Sequence, residues 1–236
     1  MNQDNIYKVH DFKMITDPVD AGVSLALRAR GLYEYDDIEL SRREILIGSN
    51  VIDVGAHIGL YTIFLSKHIG DNGKVFSFEP SSHNFSILEE NIKLNNCNNV
   101  ISNKLAVFDK ELEVDLYIND FNTGDNRIYY PGVNRKIEKV KSVKLDDVIN
   151  IPISYIKIDT QGVELPVLKG SENLLKKYHP KILFEYWPRG MHEFGYKEED
   201  LLNYLKDFGY KIYRNGNEFN YNVNEKIDYI NLFAKQ

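Results

Sequence analysis

From residue 50 onward the chain alternates between short apolar runs rich in β-branched residues and longer segments whose apolar positions recur at helical spacing. The runs read as buried strands and the longer segments as amphipathic helices, so the alternation predicts an α/β fold on a largely parallel sheet. Residues 50–54 predict a strand, Gly55 and Gly59 a turn, and the apolar stretch to Ile69 a helix stopped by Gly70. The turn at 71–73 leads to a strand at 74–78, after which Ser81 or Ser82 caps a helix carrying Phe85, Leu88 and Ile92 on one face. A third strand is expected within 100–108. Extended segments at 113–118 and 137–144 flank a polar loop at 119–135, longer than a simple connection needs. A helical turn at 145–149, a strand at 153–158, a helix with Pro166 near its first turn and a strand at 181–184 complete the alternation. The last helix, 198–208, carries Leu201, Leu202, Leu205 and Phe208 on one face and stops at Gly209. A hairpin around Asn215 and Gly216 and a strand at 229–234 then end the sheet antiparallel.

The first 49 residues lack this alternation and are expected to form an extension to one domain spanning 50–236, with no repeat or linker to mark a second. A chain of 236 residues, 43% of them hydrophobic, fills a core without disulfides or metals. Its 29 basic against 35 acidic residues give a net charge of −6, which argues against nucleic acid as a partner. The densest basic run, 134–144, is broken by Glu138 and reads as the solvated face of a strand. The single cysteine, Cys97, excludes a disulfide framework and a cysteine-rich metal cage. With no apolar leader and no apolar span of membrane length, a soluble protein of the cytoplasm is expected. Oligomeric state is not legible.

In open α/β sheets ligands bind beyond the carboxyl ends of the strands, which draws attention to Asp53, Glu79, Asp159 and Glu185, one acidic residue at each of four strand ends. The glycine turn at 55–59 is expected to bring backbone N–H groups to a ligand at a helix N-terminus. Glu79 stands where a carboxylate accepts hydrogen bonds from ribose hydroxyls, so a nucleoside-containing cofactor is implied. A Walker loop is absent, since the glycines around Asp71 lead into a strand, and the G-x-G-x-x-G dinucleotide fingerprint is absent too. Asp53, just ahead of the turn, is suited to an ammonium group, which favours S-adenosylmethionine over a pyrophosphate cofactor.

Four ordered motifs, VIDVGAHIGLYT (51–62), FEP (78–80), LDD (145–147) and IKIDTQGVELPVLKG (156–170), resemble those of FkbM-type methyltransferases, and the resemblance runs from about residue 31 to the C-terminus. It implies a Rossmann-like class I methyltransferase fold with a mostly parallel seven-stranded sheet, an antiparallel C-terminal strand and a small helical N-terminal extension. It also implies methyl transfer from S-adenosylmethionine, typically to a hydroxyl of a sugar, polyketide or related metabolite. Carried over residue by residue, Asp53, Gly55, Ala56, His57 and Gly59 line the methionine end, Glu79 and Pro80 the ribose, and Asn84 the adenine side. Two departures stand out: His57 replaces the usual Asn, and Thr160-Gln161 replace the common Val-Glu.

A hydroxyl acceptor needs its proton removed by a base within hydrogen-bond reach, or by a metal. Asp159 is the first candidate, the alternative being a carboxylate that caps the next helix or orients the turn at Gly162. Glu185 is the second; it positions substrate or joins Asp159 in a Mg²⁺ or Ca²⁺ site, although no further ligand spacing supports a divalent metal. His57 is the third, because an ordinary imidazole titrates near neutrality. Asp125 and Arg127 are candidate substrate contacts in the long loop, and Tyr186 and Trp187 candidate platforms for a sugar face. Tyr33 and Glu34 are candidate cofactor covers, while His83, His179, His192 and Cys97 read as structural. The acceptor is expected to be a neutral, hydroxyl-rich small molecule or glycan. A macromolecule methyltransferase and an inactive cofactor-binding module are the alternatives.

Overall fold

In chain order the described residues form β1 (Ile6–Val9), β2 (Phe12–Ile15), α1 (Val23–Arg30), α2 (Tyr35–Glu44), β3 (Val51–Val54), α3 (Leu60–Ile69), β4 (Val75–Phe78), α4 (Ser82–Leu94), β5 (Val100–Asn103), β6 (Ala106–Val107) and β7 (Glu113–Ile118). After a short 3₁₀ turn at Thr123–Asp125 come β8 (Lys136–Val143), α5 (Leu145–Val148), β9 (Tyr155–Ile158), α6 (Glu164–Lys169), α7 (Glu172–Tyr178), β10 (Lys181–Tyr186), α8 (Pro188–Phe194), α9 (Glu198–Asp207), β11 (Lys211–Arg214), β12 (Asn217–Glu218) and β13 (Ile230–Lys235). This computed structural model describes residues 5–222 and 225–236, so residues 1–4 of the expected extension lie outside the described residues.

The main sheet runs β12-β11-β13-β10-β9-β3-β4-β5. β10, β9, β3, β4 and β5 are parallel, and β13, β11 and β12 close one edge antiparallel. β3 and β9 are buried at every position, which is why each reads as an apolar run broken only by one charged residue, Asp53 or Lys157. The Rossmann-like class is as expected, but the sheet has eight strands where seven were expected, because the hairpin after α9 adds the two-residue β12. The single strand expected within 100–108 is two: β5 ends the main sheet, and β6 pairs with β8 in a separate three-stranded sheet with β7.

The N-terminal segment is not purely helical. It opens with the hairpin β1–β2, and with α1 and α2 it covers one face of the main sheet. Val9, Met14, Leu27 and Ile38 share a core there with Ile63 and Phe64 of α3, Val51 of β3 and Tyr155 of β9. Tyr155 reaches the Ser41 hydroxyl of α2 at 2.6 Å, and Glu44 at the end of α2 takes Lys181 and Lys235 at 2.8 and 3.2 Å. The opposite face packs Leu165 and Leu168 of α6, Leu174 of α7 and Leu201, Leu202 and Leu205 of α9 against Ile156, Ile158 and Ile182. The chain leaves β3 towards β4 and β5, then returns to β9 on β3's other side. That reversal opens a crevice at the carboxyl ends of the strands, where α/β sheets place their ligands.

Asn91, fully buried on α4, holds the hairpin to this frame. Its Oδ1 accepts from Ile15 N at 2.6 Å, and its Nδ2 donates to Ile15 O at 3.0 Å and Ile58 O at 2.8 Å. Asn91→Ala strands three buried backbone groups and should cost about 3 kcal/mol, whereas Tyr155→Phe, which leaves Ser41 its bond to Asp37 O, should cost about 1 kcal/mol. Urea unfolding of the two variants measures both, and equal losses would contradict this account of the hairpin's attachment.

Candidate active site

A cavity of about 570 Å³ lies over the carboxyl ends of β3, β4, β9 and β10. Its floor at β3 is Gly55, whose φ of +77° and contacts both exclude a side chain: a Cβ there would sit 1.8 Å from the Asp159 carbonyl oxygen. The turn that follows spends its amides inside the protein. Gly55 N and Ala56 N both donate to Phe78 O at 3.0 Å, His57 N donates to Glu79 Oε2 at 2.8 Å, and Gly59 N donates to Ala56 O at 2.8 Å. The expectation that these N–H groups face a ligand is therefore corrected, because the loop folds back on the end of β4. What it offers the cavity is close approach of backbone.

Glu79, 4% exposed, accepts from His57 N, from Ser81 N at 3.0 Å and from Asn84 Nδ2 at 3.4 Å. Burial pushes its carboxyl up to about 7, against the pull of those donors. Asn84 also donates to Thr123 O at 3.0 Å, yet its buried Oδ1 has no partner among the described residues. Leu105, Ala106, Val107 and Leu116 add an apolar slot beside Pro80. A carboxylate with spare lone pairs, an unmatched buried acceptor and a flat apolar slot fit a ribose with its base.

The other half of the cavity is acidic. Lys157, 6% exposed on β9, has its Nζ 3.2 Å from Asp159 Oδ2 and lies 4.9 Å from the centre of the Tyr61 ring. Burial lowers the affinity of this ammonium for its proton, but the carboxylates of Asp159, Asp53 and Glu34 outweigh burial and hold it charged. Asp53, its cross-strand neighbour on β3, is fully buried and takes the Thr62 hydroxyl at 2.6 Å on Oδ2, while Oδ1 is unmatched. Asp53 and Gly59 thus lie behind the cavity wall, and Asp53 acts on the cavity through Lys157. Gln161 Nε2 donates to Asp159 Oδ1 at 2.8 Å and to Glu185 Oε2 at 3.1 Å. Burial and then Asp159, Glu164 and Glu34 push the Glu185 carboxyl well above the usual range. Tyr33, Glu34, Asp228 and Tyr229 complete this half.

A cover joins two distant segments. Asp20, fully buried ahead of α1, accepts from Gly22 N at 3.1 Å, Ser24 N at 2.7 Å and Thr123 N at 3.1 Å. Thr123 Oγ1 in turn meets His57 Nε2 at 2.8 Å. Burial pushes the His57 imidazole down to about 4, so the near-neutral titration that made it a candidate base is absent and its ring is a spacer to Thr123. Asp125 receives Arg127 Nε and Arg135 Nη2, both at 2.6 Å, and Arg127 continues to Glu193 at 2.7 Å. Arg127 also lies 4.5 Å from the centre of the Trp187 ring. Asp125 and Arg127 do line the cavity, but as a closed ion-pair network that leaves Arg127 little charge to offer an anion.

Gly55, Ala56, His57, Glu79, Pro80, Asn84, Asp125, Arg127, Asp159, Glu185 and Trp187 all stand in the cavity wall, as do Tyr33 and Glu34. Tyr186 does not: strand alternation turns it into the core against Phe219. His83 meets Asp17 at 2.6 Å, His192 pairs with Glu198, His179 ends α7, and Cys97 is buried, all outside the cavity. No group of three or more His, Cys, Asp or Glu among the described residues is arranged to hold a metal, and the gap between Asp159 and Glu185 is filled by the Gln161 amide. Sequence reasoning missed Lys157, Thr123, Gln161 as a bridge, and the slot at 105–107. Two of them carried a signal, Lys157 as the one charge in an otherwise apolar strand and Gln161 as a departure from the family pattern.

Because the folded His57 ring titrates about 4 against 6.5 when unfolded, its contribution to stability is intact above pH 6.5 and is lost as pH falls towards 4. The stability of the wild type should therefore fall more steeply over that range than that of His57→Asn. Parallel urea-unfolding curves for the two would contradict the buried, neutral ring.

Comparisons with known proteins identify the family and the fold. The model of the Methyltransferase FkbM domain matches residues 53–212. Among solved structures, the FkbM methyltransferase of Methylobacillus flagellatus KT superposes with a TM-score of 0.52 at 17% identity, covering 79% of this chain but 43% of that one, so the chain spans less than half of its length. A Streptococcus mutans protein solved in complex with SAH gives a TM-score of 0.53 at 12% identity, covering 84% of this chain and 94% of that one. A precorrin-6y C5,15-methyltransferase of Geobacter metallireducens GS-15 gives 0.51 at 14% identity, covering 86% and 88%. Comparison with curated proteins finds no match. With its family motifs on the strand ends that frame the cavity, the chain belongs to the FkbM family of S-adenosylmethionine-dependent methyltransferases.

Proposed function

We propose that the protein methylates a hydroxyl of a neutral, hydroxyl-rich acceptor, a carbohydrate or small metabolite. The observation that carries this is the division of one cavity into a nucleoside half, with Glu79, Asn84 and the slot at 105–107, and an acidic half, with Glu34, Asp159, Glu185 and Asp228 against Lys157. Glu79 would hold the ribose hydroxyls, Asn84 Oδ1 would accept from the cofactor, and Leu105 and Ala106 would pack on its base. When bound, S-adenosylmethionine supplies a methyl group on a positively charged sulfur. Asp159 and Glu34 favour that positive charge nearby, and the same carboxylates repel an anionic acceptor. Arg127 does little to offset this, because Asp125 and Glu193 already hold it.

Proton removal falls to Glu185 in this reading. Both Asp159 oxygens are occupied, Oδ1 by Gln161 and Oδ2 by Lys157, so neither is open to an acceptor hydroxyl. Glu185 has its Oε2 on Gln161, while no hydrogen bond from the described residues reaches Oε1, and its basicity is raised by burial beside other carboxylates. Glu185 Oε1 would take the proton of an acceptor hydroxyl held against it, while the bound cofactor would supply the methyl group. Trp187 has one ring face towards Arg127, so any stacking on a sugar uses what remains of the ring. The net charge of −6 weighs against a nucleic-acid acceptor, and the lone buried Cys97 is compatible with the cytoplasm. No helix of the described residues is long and apolar enough to cross a membrane.

Two measurements test the reading. Ribose hydroxyls donate more strongly to an ionised Glu79, whose carboxyl stands at about 7. Affinity for S-adenosylmethionine should therefore rise from pH 6 to pH 8, and calorimetry near pH 7 should detect proton release that Glu79→Gln abolishes. Flat affinity with no proton release would remove the ribose assignment. In an acceptor screen of neutral glycans and nucleotide sugars, Glu185→Gln should lower kcat by about a hundredfold or more, with cofactor affinity little changed. An active Glu185→Gln enzyme would return the proton to Asp159, and cofactor binding without turnover of any acceptor would favour the inactive module.

A further inference from the structure

We propose that the side-chain amide of Gln161 is the positioning element of the acceptor site, bridging the Asp159 and Glu185 carboxylates from the place a divalent cation would otherwise take. Its catalytic consequence rests on the methyl-transfer reading above, whereas the bridge itself rests on geometry. The two carboxylate oxygens converge on one nitrogen, at 2.8 Å from Asp159 and 3.1 Å from Glu185. A primary amide carries two N–H groups on that nitrogen and serves one to each oxygen. Two carboxylates so close repel each other unless a donor or a cation lies between them, and here the donor is neutral.

The backbone is shaped to deliver this amide. Gln161 has a left-handed φ of +59°, uncommon for a residue with a side chain, and Gly162 follows at +100°, where a Cβ would come within 2.6 Å of the Gly190 backbone. Two side chains, Tyr129 and Glu164, fix the turn. The Tyr129 hydroxyl donates to Gln161 O at 3.0 Å, and Glu164 Oε1 accepts from Thr160 N at 3.0 Å, Thr160 Oγ1 at 3.1 Å and Gly162 N at 3.1 Å. With Lys157 on the other Asp159 oxygen, three of the four oxygens in the pair are occupied, and Glu185 Oε1 is the one left for an acceptor hydroxyl. Gln161 thereby holds the two acids in one orientation, and being uncharged it adds no positive charge beside Glu185.

The bridge can be tested with two near-isosteric variants, whose folding is checked by thermal unfolding. Gln161→Glu places a third carboxylate where the amide was, an oxygen donor set suited to a hard divalent ion. Calorimetric titration with Mn²⁺ should show one binding event for Gln161→Glu at concentrations where the wild type shows none. Gln161→Met fills the same space without donors and should lower kcat by about tenfold or more while changing S-adenosylmethionine affinity less than about threefold, since only the acceptor side is disturbed. Failure of Gln161→Glu to bind Mn²⁺, equal Mn²⁺ binding by the wild type, or a Gln161→Met kcat within about twofold of wild type would each overturn the proposal. The Mn²⁺ measurement needs no acceptor, so it decides the bridge even if no acceptor is ever turned over, an outcome that would count against the methyl-transfer reading instead.

Discussion

Lys157 is a buried ammonium in the middle of a parallel sheet, and the candidate site is arranged around it. Asp53 stands beside it on β3, Asp159 two residues on, and Glu34 reaches towards it from the segment before α2. Without that positive charge the site would confine several carboxylates in a poorly solvated space, and most would take up protons. With it, Asp159 is pinned through Oδ2 and Asp53 is tolerated although one of its oxygens has no partner among the described residues, while burial beside other carboxylates raises the Glu185 carboxyl. The strand that supplies Lys157 also carries Tyr155, which docks α2 through Ser41, so the same strand that centres the charge also ties down the N-terminal segment.

The cover over the nucleoside half depends on a second buried charge, Asp20. Its carboxylate gathers amides from its own turn and from Thr123, more than a hundred residues away, and Thr123 passes the connection to His57 and Asn84. The N-terminal segment and the long loop are therefore one structural unit over the cofactor end of the cavity. Arg127, by contrast, ties that loop to α8 on the acceptor side through Glu193 and Trp187. The contacts to Asp20 and His57 and those to Glu193 and Trp187 are made from a single loop, a few residues of backbone apart.

Much of the architecture was legible because it follows from local rules. Strands buried on both faces appear as largely apolar runs, helices as three-and-four repeats, and stops at Gly70 and Gly209 occur where chain direction changes. The hairpin β1–β2 was not legible, since Lys8 and Lys13 alternate with apolar residues over only four positions per strand. The hairpin of β11 and β12 was legible from Asn215-Gly216, whereas the split between β5 and β6 depends on which partner strand each finds. Of the site, the strand-end acids and the glycine turn were visible from spacing alone. Their pairing was not: that Asp159 is saturated while Glu185 has an open oxygen depends on Gln161 and Lys157 meeting them in three dimensions.

The sequence by itself determined the fold class, the position of the cavity at the strand ends, and the family, because each is written in short-range periodicity and in motifs that strand and turn geometry demand. The tertiary structure decided the chemistry of each acid. Protonation and basicity depend on burial and on charges a few ångströms away, and those neighbours come from segments far apart in the chain. His57 shows this most plainly. Its place in the turn is set by the motif, but its neutral, spacer-like state is set by burial under Thr123, a residue no local pattern connects to it.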